Sequence, residues 1–488
     1  MRLLSRRDFL LESAAGAAGL AALGSPLLRA AEKAAKKADA NDALHVAVVG
    51  VHGRGMSHVS GYLQKSTNTV ITHVCDCDSA VIGKAMKAVE DAQKTPPKYE
   101  QDFRKLLEDK SIDVISIATP NHWHALMAVW ALQAGKHVYV EKPVSHNVSE
   151  GRRIVEAAAK YDRLCQAGTQ CRSMSGMREA IAFVRSGGIG KVTVARGLCY
   201  KPRPSIGKVS GEQPIPKTID YDLWCGPAAK LPLMRKSLHY DWHWVWNTGN
   251  GDLGNQGIHQ MDLCRWGLGK SELAKSVLSV GGRFGYIDDG ETPNTQVSVF
   301  DYGDCELIFE VRGLPTKDLK GAKIGVIFQG SDGYVVCPSY SSGIVYDKDG
   351  KQVKEFTTPK DRASDNVHFA NFIQAVRHGK SSELNGEITE GHLSSALCHL
   401  ANVSYRLGSE AAYSKTGKAF GDDKEAAETL ERTAEHLKDN RVPQDNTNYH
   451  VGRRVKVDVK TETFVGDKEA DALLTREYRK GFVMPQKV

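Results

Sequence analysis

Leu44-His45-Val46-Ala47-Val48-Val49, followed at once by Gly50-Val51-His52-Gly53-Arg54-Gly55, decides the fold. A short apolar run closed by glycine reads as a strand buried on both faces. The glycine-rich turn then opens a helical segment, Met56 to Gln64. This strand–turn–helix order is the setting of a dinucleotide fingerprint, in which glycines let the backbone approach a pyrophosphate at the helix N-terminus. His52 replaces the usual second glycine, so the fingerprint is incomplete by itself. Asp76 strengthens it, because it follows a second apolar run, Val70 to Val74. A carboxylate there can accept both ribose hydroxyls and would repel a 2′-phosphate, which favours NAD over NADP.

Outward from this unit the alternation continues. Asp113 to Ala118 and Lys136 to Val140 read as further strands. Ala80 to Asp91 and Ala125 to Ala134 read as helices, and Ser149 is the expected N-cap of a helix ending at Tyr161. Alternating strands and helices predict a doubly wound parallel sheet over residues 44–165. The pattern then changes. Lys191 to Tyr200, Lys275 to Gly282, Thr295 to Tyr302, Cys305 to Val311, Ile324 to Gln329 and Gly333 to Val336 read as strands joined by short turns. That predicts an α/β domain with a mostly antiparallel sheet over 166–408. Lys201 to Asn250, rich in proline and tryptophan, is a long irregular excursion of the kind that is usually functional. Residues 409–488 read as a charged extension, helical over Asp423 to Leu437 and irregular after it.

Chemistry-bearing residues gather at the ends of these elements. Glu141-Lys142-Pro143 closes a parallel strand, where open α/β sheets bind ligands. Gly249 to Asp252 forms a turn that opens a helix carrying Asn255, His259 and Asp262 on one face. A lysine at a strand end and a histidine on a polar helical face make a candidate proton-transfer pair. Thr119, Asn121 and His124 follow another strand end and are candidate cofactor contacts, whereas His122 reads as a surface or helix-start residue. Gln170 is a further cofactor candidate. Arg172 would either meet an anionic substrate group or form a structural ion pair. Tyr240, Trp242 and His243 could stack on and hydrogen-bond a sugar, or tuck their loop onto the sheet. Asp262 would orient His259 or cap a neighbouring contact.

Val46 to Gly55, Thr119-Pro120-Asn121-His122, Glu141-Lys142-Pro143, Gly187-Gly188-Ile189-Gly190-Lys191-Val192 and Gly257-Ile258-His259 together resemble the Gfo/Idh/MocA oxidoreductases over residues 44–408. The resemblance implies a Rossmann domain plus an α/β domain with an open antiparallel sheet, a nicotinamide cofactor, and a saccharide or cyclitol substrate. It implies Gly50, His52, Gly53, Arg54, Asp76, Thr119, Asn121, His124, Glu141, Lys142 and Gln170 as cofactor contacts. Lys142 would touch both cofactor and substrate, and His259 would transfer the proton. The family often carries Asp where this chain has Asn255, which cannot ionise, so the base role falls on His259 or Lys142. Arg172, Tyr240, Trp242 and His243 would line the substrate side. A homodimer or homotetramer is implied through the open sheet face. Exported relatives, the glycoside hydrolase family 109 proteins, use the same cofactor to cleave glycosides by transient oxidation at C3. A non-catalytic sugar- or nucleotide-binding protein is the third alternative, disfavoured by the presence of both Lys142 and His259.

The remaining features set bounds. Of the formal charge of +7, more than half falls within residues 1–38, and no basic stripe follows, so a nucleic-acid partner is not expected. Residues 1–30 read as a twin-arginine signal peptide around Arg6-Arg7, with Ala30-Ala31 as a cleavage point and residues 31–43 as a linker. The expected location is periplasmic, with no membrane association after processing, because Glu12 interrupts any longer apolar run. The ten cysteines show no zinc spacing and no pairing pattern, so neither a metal nor disulfides are expected.

Overall fold

The computed structural model describes residues 43–413, 418–445 and 447–488; the expected signal peptide and the linker up to residue 42 lie outside them. Strands β1 (Leu44–Val49), β2 (Thr69–Cys75), β3 (Lys98–Glu100), β4 (Val114–Ile117), β5 (His137–Val140) and β6 (Cys165–Ala167) form a parallel sheet. Their order is β3-β2-β1-β4-β5-β6, so the winding reverses between β1 and β4. Ligands bind outside the carboxyl ends of strands at such a reversal. The sequence reading missed β3, which has three residues and no apolar run to announce it. The helix Val148–Lys160 is capped by Asn147, whose side chain accepts from Glu150 N, rather than by Ser149.

The second sheet is mixed and mostly antiparallel. Its strands are β7 (Val192–Cys199), β8 (Ser276–Gly282), β9 (Thr295–Asp301), β10 (Glu306–Arg312), β11 (Ile324–Gly330), β12 (Gly333–Cys337), β13 (Ser342–Asp347), β14 (Gln352–Thr357), β15 (Ser409–Ala412), β16 (Asn448–Val451), β17 (Val455–Asp458) and β18 (Thr463–Phe464). Among the described residues, β7 and β10 are its one parallel pair. Helices Ser175–Arg185, Gly257–Gly267 and Ile388–Arg406 bury one face, with Phe309, Phe328 and Met261 at the centre. Helix Asn366–His378 instead crosses to the Rossmann sheet, where Phe369 stacks on Tyr139 at 4.7 Å.

The region after residue 408 departs from the sequence reading. It is not irregular: β15 to β18 extend the second sheet beyond β8. Helix Lys424–Asp439 lays Leu430 and Leu437 on the outer face, against Val194, Leu278 and Ile308. The expected open face is therefore partly covered by the chain itself. Glu310, on that face, receives hydrogen bonds from Tyr200 and Arg432 at 2.6 and 2.8 Å. The tail then returns to the Rossmann side, where Phe482 and Met484 join Phe103 and Trp123. No helix among the described residues is long and apolar enough to cross a membrane.

Candidate functional site

The winding reversal opens into a cleft of about 460 Å³. Its floor is the glycine-rich turn. Gly50 has φ +81°, and a Cβ there would lie 2.8 Å from the backbone of Ala118 and Thr119, so the ends of β1 and β4 can meet only over glycine. A Cβ on Gly55 would strike the Gly50 carbonyl, whereas Gly53 faces open space. This cradle leaves room for a pyrophosphate at the N-terminus of helix Gly55–Tyr62. Asp76 lines the cleft at the end of β2; its carboxylate accepts from Val51 N at 2.9 Å and Asp78 N at 3.0 Å. Burial raises its pKa, and those two N–H groups oppose the rise. Turn shape, open glycine and carboxylate all suit a dinucleotide.

At the other end of the cleft stand Arg54, Glu141, Lys142 and Asn255. Glu141 is buried and accepts from Arg54 Nε at 2.7 Å, with His58 Nε2 at 3.2 Å. Burial alone would raise the Glu141 pKa, but Arg54 and His58 overcome this and hold it well below the usual carboxylate range. Lys142 Nζ donates to the Asn255 carbonyl at 2.8 Å. Burial lowers its pKa, with Glu141 opposing and Arg54 assisting. His259, one turn beyond Asn255, is buried, and its Nδ1 has no hydrogen-bond partner. Burial, and then the Lys142 charge, keep its pKa well below that of free imidazole. His259 is thus a neutral imidazole with an unused ring nitrogen.

The excursion Lys201 to Asn250 forms the roof. It holds the Rossmann side through Ser79 N to the Thr218 carbonyl (3.0 Å), Asp220 N to the Cys77 carbonyl (3.0 Å) and His239 Nε2 against Asp78 Oδ2 (2.9 Å). His52 and His239 meet edge to face at 4.3 Å across the cleft mouth. Tyr240, Trp242 and His243 line the cleft, with the Trp242 and His243 rings stacked at 3.5 Å. Burial takes the His243 pKa to about 3. Thr119 and His124 also line it, and the His124 ring nitrogens lie 2.7 Å from the Pro143 carbonyl and 2.8 Å from that of Thr119. His124 therefore ties the Glu141–Pro143 turn to the end of β4.

Other expected site residues sit elsewhere. Arg172 does not face a substrate: Asp262 takes it bidentately at 2.8 Å on both oxygens, and Glu390 takes it at 2.9 Å. The same pair corrects Asp262, which orients Arg172 and not His259. Asn121 is buried away from the cleft lining and donates to the Asn250 side chain. Gln170 is buried with an unpartnered Oε1, off the cleft wall. His122 is no surface residue: it is buried against the Trp224 carbonyl at 3.0 Å, and burial takes its pKa down to about 3 although that carbonyl opposes the fall. Tyr340 went unread, although its ring lies 5.0 Å from that of His259 and its hydroxyl accepts from Gln256. Gln256 in turn accepts from Lys201 at 3.0 Å. Nothing in the local sequence marks Tyr340; the sheet alone brings it there. All ten cysteines are free, and no metal-binding cluster occurs among the described residues.

Residues 44–169 match the family model described as oxidoreductase family, NAD-binding Rossmann fold. Residues 184–439 match the oxidoreductase family C-terminal alpha/beta domain. A glycosyl hydrolase family 109 protein from Saccharopolyspora erythraea is 32% identical over 207 residues, 40% of this chain and 45% of that protein. Another, from Shewanella baltica, is 29% identical over 180 residues, 34% of this chain and 39% of that protein. The chain spans less than half the length of the curated relatives it matches. Levoglucosan dehydrogenase, solved with NADH and levoglucosan, superposes with a TM-score of 0.58 at 16% identity, covering 74% of this chain and 96% of its own. The WlbA dehydrogenase from Bordetella pertussis, solved with NADH and UDP-GlcNAcA, gives 0.56 at 18%, covering 75% and 96%. At such identities the likeness is one of fold. The family models reach across both sheets, and on them this chain is a member of the Gfo/Idh/MocA oxidoreductase family with an NAD-binding Rossmann domain.

Proposed function

We propose that this protein holds NAD in the roofed cleft and transfers hydride between it and a hydroxyl-bearing carbon of a saccharide or cyclitol. The observation that carries the reading is Lys142 on the wall of a dinucleotide cleft, its Nζ held by the carbonyl of Asn255, with His259 buried one helical turn further on and behind the cleft lining. When bound, the nicotinamide ring accepts a hydride and can return it. His259, whose pKa burial lowers, takes the hydroxyl proton. Lys142 stabilises the developing alkoxide as a cation and, with its lowered pKa, can pass a proton. Gly50 and Gly53 admit the pyrophosphate, Asp76 takes the ribose hydroxyls, and the roof excludes water.

A second reading is favoured by the glycosyl hydrolase relatives. Oxidation at a sugar's C3 acidifies the C2 proton. A base removes that proton, the C1–O bond breaks, and the aglycone leaves carrying a proton. Water then adds across C1 and C2, and the C3 ketone is reduced again. The net reaction is hydrolysis, with no cofactor consumed. Folded export through a twin-arginine leader suits this cycle, because the cofactor would be bound before transport. The assembly we expect is a homodimer or homotetramer, checked by light scattering. The decisive experiment incubates purified protein, without added cofactor, with a panel of sugars and aryl glycosides. Bound NADH absorbance on adding a free sugar supports dehydrogenation, and catalytic aglycone release supports the hydrolytic cycle. Neither signal, from protein shown by native mass spectrometry to contain NAD, would overturn both.

A further inference from the structure

A second cavity, about 310 Å³ in volume, lies behind the turn that opens the His259-bearing segment and shares no lining residue with the cofactor cleft. Four separate pieces of chain build it: the end of helix Ile388–Arg406, His146 and Asn147 just after the Glu-Lys-Pro turn, Trp246 to Asn250 at the end of the roof, and the tail around Arg476. The tail lies beyond residue 439, where the match to the C-terminal family model stops.

Its lining is one-sided in chemistry. No aspartate or glutamate lines it, whereas Arg406 and Arg476 both do. Neither guanidinium is within ion-pair distance of a carboxylate among the described residues. Arg476 donates to Asn247 and to His146 Nδ1, and its Nε has no partner. Arg406 rests on the Trp246 ring, 5.3 Å from the centroid. Because His146 Nδ1 accepts from Arg476, its Nε2 carries the proton, and that N–H is also unpartnered. Asn147 spends its oxygen on capping a helix, and its Nδ2, beside the Glu150 carboxylate and the Tyr478 hydroxyl, makes no well-formed hydrogen bond and is a third under-used donor. Asn402 is the complement. Its Nδ2 donates to the Asn250 carbonyl, and its Oδ1 is an orphan acceptor. Asn147 and Asn402 are both only 4% exposed. Buried polar groups are ordinarily satisfied, and so many orphans around one space call for an occupant.

We propose that this cavity binds a monosaccharide-sized ligand bearing an oxyanion, carboxylate or phosphate. The oxyanion sits between Arg406 and Arg476 and takes the His146 and Asn147 donors. Asn402 Oδ1 accepts from a ligand hydroxyl, and Trp246 covers an apolar face. Two guanidiniums that no carboxylate pairs, Glu150 and Glu291 acting on them only from beyond ion-pair distance, fit an anion better than a neutral sugar, and the volume admits one sugar ring.

The test is isothermal titration calorimetry of the NAD-saturated full chain with sodium glucuronate, glucose 6-phosphate, inorganic phosphate and glucose. We expect at least one sugar anion to bind at least tenfold more tightly than glucose, with NAD already in place. Preference for glucuronate identifies a carboxylate ligand, and preference for the phosphates identifies a phosphorylated one. Arg406→Gln, which breaks no hydrogen bond in the structure, should weaken that binding at least tenfold, and Arg476→Gln should do the same. Asn402→Asp should also weaken it, by putting a negative charge beside the oxyanion. Equal binding of glucose, no binding of any of the four, or anion binding undiminished in folded Arg406→Gln and Arg476→Gln would overturn the proposal and leave a cavity that holds water only.

Discussion

The two cavities differ in how they treat buried charge. In the cofactor cleft every fixed charge has an answer: Glu141 faces Arg54 and His58, Lys142 faces the Asn255 carbonyl, and Asp76 holds two backbone N–H groups. In the second cavity two arginines have no carboxylate within ion-pair distance, and Arg476, His146, Asn147 and Asn402 each keep one unpartnered polar atom. The first arrangement is preorganised, its dipoles and charges already set for a reaction. The second is an incomplete set of partners, the arrangement expected where a ligand supplies the missing charge. Stability and binding therefore pull in the same direction in the cleft and in opposite directions in the second cavity.

Mutations sharpen this contrast. The largest effect belongs to the proton-transfer pair. His259→Ala should lower turnover by roughly 10²–10⁴-fold and spare cofactor affinity, while Lys142→Ala should lose turnover and also loosen cofactor. Stopped-flow formation of bound NADH and fluorescence titration separate the two; normal NADH formation in His259→Ala across pH would remove His259 as the base. Next comes Glu141→Gln. It removes the buried carboxylate to which Arg54 and His58 bond, leaves Arg54 paired with Asp365, and should cost about 1–3 kcal/mol of stability by denaturant titration. A change below 1 kcal/mol would show that the cleft's charges are not the balanced set described here.

Asp76→Ala should weaken NAD binding by roughly 10–100-fold, as for a charged hydrogen bond, and relax discrimination against NADP. Calorimetry with both cofactors decides; equal affinity of the unaltered protein for the two would sink the assignment. Acid should act more gradually. Burial puts the pKa values of His122 and His399 at about 3, below the usual imidazole value. The unfolded chain therefore binds more protons than the folded one below about pH 6.5, so their contribution is complete above that pH and is lost as pH falls. Each should cost roughly 1.4 kcal/mol per pH unit between about 6.5 and 3. His122→Phe should flatten that slope in thermal melts, and an unchanged slope would mean that His122 is not held neutral. The smallest effect should be Arg406→Met, which removes an unanswered cation and should leave stability within about 0.5 kcal/mol or raise it. A loss of several kcal/mol would make Arg406 structural and close the contrast between the two cavities.

Reading the chain without its fold succeeds where one local pattern carries one physical meaning. The β1 run with its glycines, Asp76 at the end of β2, and Lys142 at the end of β5 are of this kind, because strand ends and the helix N-terminus fix their direction. It fails where a residue's role is decided by something distant. Arg172 stayed open between a substrate anion and a structural ion pair because Asp262 and Glu390 lie far along the chain, and in space they close on it. His122 looked like a helix start at the surface because Trp224, which buries it, belongs to the roof. Tyr340 carries no local signal and reaches His259 only because β12 and the segment after it are paired into the second sheet.

The extension after residue 408 shows the same limit at the scale of a domain. Its charge suggested a loose appendage, and the helical period was correctly legible over Lys424–Asp439. What that helix covers was not, since its partners Val194, Leu278 and Ile308 come from three separate strands. By itself the sequence determined the parallel dinucleotide-binding sheet, the change to a mostly antiparallel sheet, and the placing of Lys142 at a strand end of that sheet, because periodicity and turn chemistry are local. Only the tertiary structure decided which charges are answered, which face is covered, and that four remote segments enclose a second, cationic cavity, because burial and pairing depend on contacts between residues far apart in the chain.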